Sequence, residues 1–160
     1  MLKHITIMIK VNVISEEKSW SKKIKKKELL FDKIIKYFPN KFKFLNQKVY
    51  LTLLFSNNKK IKVLNQKFRK KNKHTDVLSF PFEKKILNKK EFYLGDIIIS
   101  FNYMNNPKNL TNKEFTEKTV KIFIHGFLHL LGYDHINDND YKKMQTAEKN
   151  IFNKVKKLLN

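Results

Sequence analysis

The chain has 160 residues, enough for one domain to bury its own hydrophobic core without a structural metal or a disulfide. It contains no cysteine, which excludes disulfides and thiolate metal sites, and its longest apolar stretch, Ile122 to Leu131, is about ten residues where a membrane span needs roughly 20. The net charge of +21 predicts attraction to nucleic acid, although a composition rich in Lys, Asn and Ile with a single alanine is equally typical of AT-rich coding sequence.

The N-terminal part of the chain predicts one strand and one helix. Apolar residues alternate with mostly polar ones over residues 4–13, which predicts a strand with one buried face. Because this pattern differs from the continuous apolar run of a signal peptide, we expect a cytoplasmic protein. Apolar residues with helical spacing then predict a helix from Glu17 to Phe38, which Pro39 closes.

A second strand and helix follow. Val49 to Phe55 is a nearly continuous apolar run, typical of a more buried strand. Ser56 or Asn57 is suited to cap the next helix, because the side chains of both residue types accept hydrogen bonds from free backbone N–H groups. Arg69, the single arginine among 35 basic residues, falls at the C-terminal end of that helix.

The central part of the chain predicts an antiparallel pair of strands. Val77 to Phe82 and Ile97 to Phe101 have strand character, and the polar segment Glu83 to Glu91 is suited to connect them as a loop. With the earlier strands, which are each followed by a helix, this pair predicts a mixed sheet of four strands.

Two helices complete the predicted fold. Thr111 and Glu114 form a capping box that opens the first, and Gly132 ends it. The second runs from about Asp138 to Leu159. We therefore predict an α+β fold, a single domain over residues 1–160, in which the mixed four-stranded sheet packs with about four or more helices.

The segment from residue 125 to residue 135 has the spacing H-x3-H-x2-G-x2-H. His125 and His129 are one turn apart on a helix and share a face, and a glycine turn at Gly132 can bring His135 back to the same point. Three protein ligands with one open position are typical of a catalytic zinc site. A buried histidine is more commonly a core residue, but three of the five histidines lie within these eleven residues, which favours metal binding.

One position separates this segment from the zinc-protease signature H-E-x-x-H-x-x-G-x-x-H. Gly126 stands where that signature has the glutamate that acts as general base. Peptide hydrolysis on that template loses its proton acceptor, so the peptidase hypothesis is disfavoured. Asp134 lies close in sequence and is a candidate either for proton transfer or, more commonly for such residues, for orienting a histidine ligand.

The histidine segment, HGFLHLLGYDH, resembles the signature of the YbeY family, the endoribonucleases and rRNA maturation factors of bacteria. Residues 64–82 resemble that family's LNxxYRxKDxPTDVLSFPF, and residues 94–97 resemble its LGDI strand start. With Met144 and Glu148, these blocks cover about residues 60–150. Three residues depart from the family's pattern: Phe68, Asn72 and His74.

The resemblance implies a metal-dependent endoribonuclease that acts on single-stranded RNA in rRNA processing and small-subunit quality control. It implies one Zn²⁺ ion held by the three histidines, and contacts with the small ribosomal subunit and its proteins. The short apolar stretch predicts no membrane partner. By the resemblance, Arg69 faces the substrate phosphate. We predict Arg69 and His125 as catalytic residues, and the neighbouring Lys70 and Lys71 as further contacts to the RNA backbone. A guanidinium suits this role, because it offers paired donors to two phosphate oxygens.

Alternatives remain for several of these residues. Arg69 could belong to a solvated run of charge. Asp76 and Ser79 could orient the arginine or cap a turn, and the structural role is favoured. Asp96 is expected in a turn, although the resemblance also allows it to contact a protein partner. His4 and His74 are expected to be ordinary residues without a role in the site. The rival hypothesis from another class is a non-catalytic ribosome assembly factor whose metal site stabilises a binding surface.

Overall fold

A four-stranded mixed sheet forms the centre of the molecule, in a computed structural model that describes residues 8–42, 44, 47–82 and 91–160. The strands are β1 (Met8–Ser15), β2 (Lys48–Ser56), β3 (Val77–Pro81) and β4 (Glu91–Ser100). Their order is β1-β2-β4-β3; β1, β2 and β4 are parallel, and β3 is an antiparallel edge strand beside β4. The predicted mixed sheet and α+β class are confirmed.

Six helices surround this sheet within the described ranges. They are α1 (Ser19–Lys23), α2 (Lys27–Lys36), α3 (Asn58–Arg69), α4 (Phe101–Met104), α5 (Asn112–Leu130) and α6 (Asp138–Val155). Short 3-10 turns lie at Asn40–Phe42 and Lys156–Leu159. In the part of the chain that is described, no helix combines the length and the apolarity that crossing a bilayer would require.

The predicted continuous helix from Glu17 to Phe38 is wrong, because the chain turns between α1 and α2. Lys26 adopts a left-handed backbone conformation with φ +49°, which interrupts the helical hydrogen bonds. α1 is anchored separately, since its buried Trp20 donates from Nε1 to the carbonyl of Ser56 at 2.9 Å. Helical spacing was kept across the break, so the periodicity of the sequence could not reveal it.

Other boundaries differ by smaller amounts. The first strand continues to Ser15, and residues 4–7 of the prediction lie outside the described residues, as do residues 83–90 of the predicted loop. β4 begins at Glu91 and not at Ile97, and α6 gives way to a 3-10 turn after Val155. Asp96 therefore lies within a strand and not in the turn that we expected.

Different helices cover the two faces of the sheet. Ile97 and Ile99 of β4 belong to the main core, which includes α5, whereas Ile98 packs with Ile61 of α3 and Leu78 of β3 in a smaller cluster. Successive side chains of a strand point to opposite faces. α5 and α3 therefore lie on opposite sides of the sheet.

Both of these helices end towards the same edge of the sheet. Asn58, the first residue of α3, accepts a hydrogen bond from Ser100 at the end of β4, and Phe68 near the end of α3 contacts the ring of Phe80 on β3. α5 runs in the same direction, since its last residue, Leu130, packs at Gly95 of β4. The C-terminal ends of α3 and α5 thus flank the edge strand β3 from opposite faces.

Candidate metal centre

Two of the three predicted ligands project from the last turns of α5. The helix begins with the predicted capping box, in which Thr111 and Glu114 exchange hydrogen bonds, and it continues without interruption to Leu130. His125 and His129 lie one turn apart, and their Nε2 atoms are separated by 3.0 Å. The helix therefore presents two imidazole nitrogens to one point, as the spacing predicts.

A tight turn after α5 brings in the third ligand. Gly132 has φ +90°, a conformation that residues with a side chain rarely adopt, and its N–H donates to the carbonyl of His129 at 3.0 Å. The N–H of Tyr133 donates to the carbonyl of Leu128, which closes the helix end. His135 then returns so that its ligand atom and those of the two helical histidines all lie within 4.8 Å of one another.

Each helical histidine is oriented by a partner at its Nδ1 atom. The Nδ1 atom of His129 lies 2.9 Å from the carbonyl oxygen of Tyr133; because a carbonyl only accepts, Nδ1 is the donor there. The Nδ1 atom of His125 lies 2.5 Å from the carboxylate of Glu148 on α6. Both rings therefore keep their hydrogen on Nδ1 and turn the lone pair of Nε2 towards the centre.

Glu148 is the orienting carboxylate that sequence reasoning did not assign. The family resemblance includes Glu148 without giving it a role, and the sequence favours Asp134 as the residue that orients a histidine. The carboxylate of Asp134 instead accepts from the backbone N–H of His135 at 2.7 Å, and no imidazole ring contacts it within the described residues. Helical spacing offered one signal, since Glu148 follows buried Met144 by one turn and so lies near the inward side of α6.

Burial and charge favour the neutral form of the central ring. Desolvation lowers the pKa of His129 below that of a free imidazole, and the proximity of His125 lowers the pKa further, against the opposing hydrogen bond to Tyr133. A neutral imidazole is the form that binds a metal ion.

The arrangement fits a bound cation. Two Nε2 lone pairs that face each other at 3.0 Å repel unless a proton or a metal ion lies between them. Three nitrogen donors, of which two belong to half-buried rings and one to an exposed ring, suit zinc and neighbouring divalent metals. Among the described residues, no fourth protein ligand joins this cluster, so one side is left for water or substrate.

Gly126 lies where α5 crosses the sheet. A Cβ atom at this position would come within 2.8 Å of Cγ2 of Ile97 and 3.0 Å of Oγ of Ser79, both on the sheet. The hydroxyl of Ser79 donates to the carbonyl of Gly126 at 3.0 Å, which confirms the structural role expected for this serine. Position 126 thus faces the sheet, and a glutamate there could not be accommodated without moving the helix.

Replacing Gly126 with alanine should therefore destabilise the protein. Ile97 is branched at Cβ and cannot easily turn its methyl group away, so we expect the free energy of unfolding to fall by about 1–3 kcal/mol. Urea unfolding measures this change. Lys113→Ala, at an exposed position of the same helix, should change the free energy by less than about 0.5 kcal/mol. Equal stability of the two variants would contradict this packing.

Replacing Glu148 with glutamine should weaken metal binding. The amide can still contact Nδ1 of His125, but it lacks the negative charge that makes the ring a better donor, and loss of such a partner reduces metal affinity by about 10–100-fold. Competition with a chromogenic chelator measures the affinity. The control is Glu28→Gln on α2, an exposed carboxylate outside the centre; the prediction fails if both variants bind zinc as tightly as the original chain.

The predicted RNA-binding residues lie on the other side of the edge strand. Arg69 is the last residue of α3, and its exposed guanidinium has no hydrogen bond or ion pair with another described residue. Lys70 is left-handed with φ +58° and ends the helix, and Lys71 follows it, also exposed. The structure brings the three histidines together and places Arg69, Lys70 and Lys71 across β3, at the same edge of the sheet.

The remaining predicted residues have local roles. Asp76 accepts from the N–H of Val77 at 2.8 Å and from the hydroxyl of Thr75, which supports the structural role expected for it. Asp96 accepts from the hydroxyl of Tyr93, and burial, with this bond, raises the pKa of Tyr93 to about 12. His4 lies outside the described residues.

Comparison with known proteins identifies close relatives. The sequence model of a family described as "Endoribonuclease YbeY" matches residues 12–156. The chain is 59% identical over 149 residues to "Endoribonuclease YbeY" of Pelagibacter ubique, covering 93% of this chain and 97% of that protein. It is 35% identical over 144 residues to the protein of the same name from Ehrlichia canis, covering 90% and 85% of the two chains.

A solved structure shares the fold. The solution structure of TM1509 from Thermotoga maritima aligns with a TM-score of 0.50 and 27% sequence identity, covering 92% of this chain and 89% of that one. The likeness extends over nearly the whole chain.

Proposed function

Because the chain belongs to the family of the endoribonuclease YbeY and is therefore an endoribonuclease, we propose that it uses one zinc ion to cleave single-stranded RNA during rRNA maturation. The observation that carries the proposal is the convergence of three imidazoles, one of them backed by the carboxylate of Glu148. The domain that performs this reaction is proposed to span residues 1–160, and its place of action to be the cytoplasm, at the small ribosomal subunit and its proteins.

The histidines would hold the ion and leave one side open. A divalent cation there would supply Lewis-acid chemistry, by withdrawing charge from a phosphodiester oxygen and lowering the pKa of a water molecule. Glu148 holds the His125 ring in place and offsets the positive charge of the centre. His125 is thus proposed to be both a ligand and, through this bond, a residue that tunes the reaction.

Arg69 is proposed to bind the phosphate that reacts. Its paired N–H donors match two phosphate oxygens and stabilise the charge that grows on them in the transition state. Two features support the role: the guanidinium is exposed and without a described partner, and it lies at the edge of the sheet where the histidines lie. Lys70 and Lys71 would add contacts to neighbouring phosphates.

A flexible single strand suits this geometry better than a duplex. Arg69 and the histidines lie on opposite faces of the sheet and flank its edge strand, so a substrate that contacts both must bend around β3. Phe82, exposed just after β3, offers a surface on which a base can stack. A rigid A-form helix presents its phosphates on a fixed surface and cannot follow this path.

The geometry gives no support to peptide hydrolysis. On the zinc-protease template the general base would occupy position 126, which here faces Ile97 and Ser79 and is too close to them for a glutamate unless the helix moves. In cleavage of a phosphodiester without a base at position 126, the attacking group would release its proton to solvent, and the leaving oxygen would take one from solvent.

Cleavage of labelled RNA tests the proposal. Zinc-loaded protein is incubated with a 5′-labelled single strand and with the same strand in a duplex, alongside a His129→Ala variant. We expect cleavage of the single strand only, and only by the original chain. Equal cleavage by the variant would identify a contaminating nuclease and reject the enzymatic proposal in favour of a non-catalytic assembly factor. A cyclic phosphate at the product end would show that the 2′-hydroxyl, and not water, attacks the phosphodiester.

A further inference from the structure

A groove lies beside the metal centre, between α5 and α6. It has a volume of about 540 Å³. The residues that line it are Lys121, Ile124, Gln145, Thr146, Glu148, Lys149 and Phe152. Glu148 belongs to both places, since its carboxylate holds His125 and its side chain forms one end of the groove. The groove therefore adjoins the metal centre at Glu148.

The helical hairpin explains this position. α5 and α6 are antiparallel neighbours joined by the turn that carries His135, so residue pairs lie across from each other in order along the hairpin. His125 meets Glu148, and one turn farther from the connection Lys121 lies over the ring of Phe152 at 4.6 Å. Lys121 and His125 are separated by four residues, or about 6 Å along the helix axis.

The lining combines the features that bind one nucleotide. Phe152, which is only partly buried, gives the groove an apolar surface against which a base can pack, and the buried Ile124 lies beneath it. Lys121 and Lys149 supply positive charge, and Gln145 supplies an amide that can donate to or accept from the edge of a base. Two carboxylates lie nearby. Glu117 pairs with Lys121 at 3.0 Å, but this exposed pair is weak and a phosphate can compete for the lysine, and Glu148 is held by the ring of His125.

We propose that this groove binds the nucleotide adjacent to the cleaved phosphodiester, with its phosphate between Lys121 and Lys149 and its base against Phe152. The inference rests on the proposed function, because it assumes that RNA is bound at the histidine cluster. It extends the path of the RNA: the strand bends around β3 from Arg69, crosses the metal centre and continues along the hairpin. Specificity for the flanking base would then be determined by Gln145.

Removal of the two charges tests the groove. In a Lys121→Ala, Lys149→Ala double variant, two phosphate contacts are lost, so we expect binding of a 2′-O-methyl hexaribonucleotide to weaken about tenfold. Fluorescence anisotropy at several KCl concentrations should also show a salt dependence, as the slope of log Kd against log[KCl], that is shallower by about 1.4. The control pair Lys113→Ala, Lys154→Ala removes the same charge from the same two helices and should leave both quantities unchanged. Lys121→Gln, Lys149→Gln repeats the test with longer side chains.

A small substrate separates this inference from the function on which it rests. Bis(p-nitrophenyl) phosphate has one phosphodiester and no flanking nucleotide, so the double variant should hydrolyse it at the original rate, while KM for an unmodified hexaribonucleotide of the same sequence rises. Unchanged binding of the hexaribonucleotide and an unchanged salt slope would contradict the proposal that this groove binds a nucleotide. If the original chain hydrolysed neither substrate, the proposed function would fail. The difference in hexaribonucleotide affinity between the original chain and the double variant would still test the groove.

Discussion

Replacement of His129 with alanine is expected to abolish both metal binding and RNA cleavage. His129 contributes the central ligand, held by the carbonyl of Tyr133, and the two remaining imidazoles project from different segments of the chain. Electrostatic stabilisation by a bound metal is worth several kcal/mol in the transition state, so kcat should fall by about 10³-fold or more. Steady-state cleavage of a labelled single strand measures the fall.

A thermal measurement distinguishes loss of the metal from loss of the fold. An ion that binds the folded chain raises its melting temperature, and we expect this zinc-dependent rise only where the three ligands are present. His74→Ala is the matched control, because His74 is exposed and contacts Tyr103 outside the cluster. It should retain cleavage and the zinc-dependent rise. Full activity of His129→Ala, with no zinc bound, would exclude a role for the metal.

Replacement of Arg69 is expected to give the second largest loss. Arg69→Lys keeps the charge but loses the paired donors, whereas Arg69→Ala loses both, so we expect kcat/KM for single-stranded RNA to fall by about 10-fold and about 100-fold respectively. Stability should not change, since the guanidinium is exposed and has no partner among the described residues. Kinetics and urea unfolding on the same preparations measure both.

The control for Arg69 lies on the same helix. Lys62 is exposed on α3, two turns before Arg69, and Lys62→Ala removes one charge without reaching the edge of the sheet. Its effect on kcat/KM should be less than twofold. If Arg69→Lys cleaved RNA as fast as the original chain, the positive charge alone would be sufficient and a bidentate contact would be excluded.

Local sequence patterns predicted most of the fold, because they report directly on local physics. The capping box at Thr111 and Glu114 and the cap at Asn57 are single hydrogen-bonded motifs, and both are present. The break at Lys26 was missed because a left-handed residue outside glycine leaves no compositional signal and because apolar spacing was kept on both sides of it. The predicted bounds of strands were less accurate where polar and apolar residues are mixed at the strand end. One example is β4, which begins at Glu91 and not at Ile97.

The site was predictable to the extent that it is local in the chain. The three histidines lie in one helix and the turn that follows, and their convergence required no knowledge of the tertiary fold. Glu148 reaches His125 only because α6 packs antiparallel to α5, and the steric reason for Gly126 is visible only where α5 meets Ile97. Contacts between distant segments depend on packing, which periodicity does not encode.

The coordination of the metal is the central claim, and X-ray absorption at the zinc edge measures it most directly. The account predicts one zinc ion per chain with three imidazole nitrogens at about 2.0–2.1 Å and one oxygen from solvent. Glu148→Gln should keep this set of ligands, and His135→Ala should reduce it to two imidazoles. A fourth ligand from the protein, or a spectrum that does not change in His135→Ala, would contradict it.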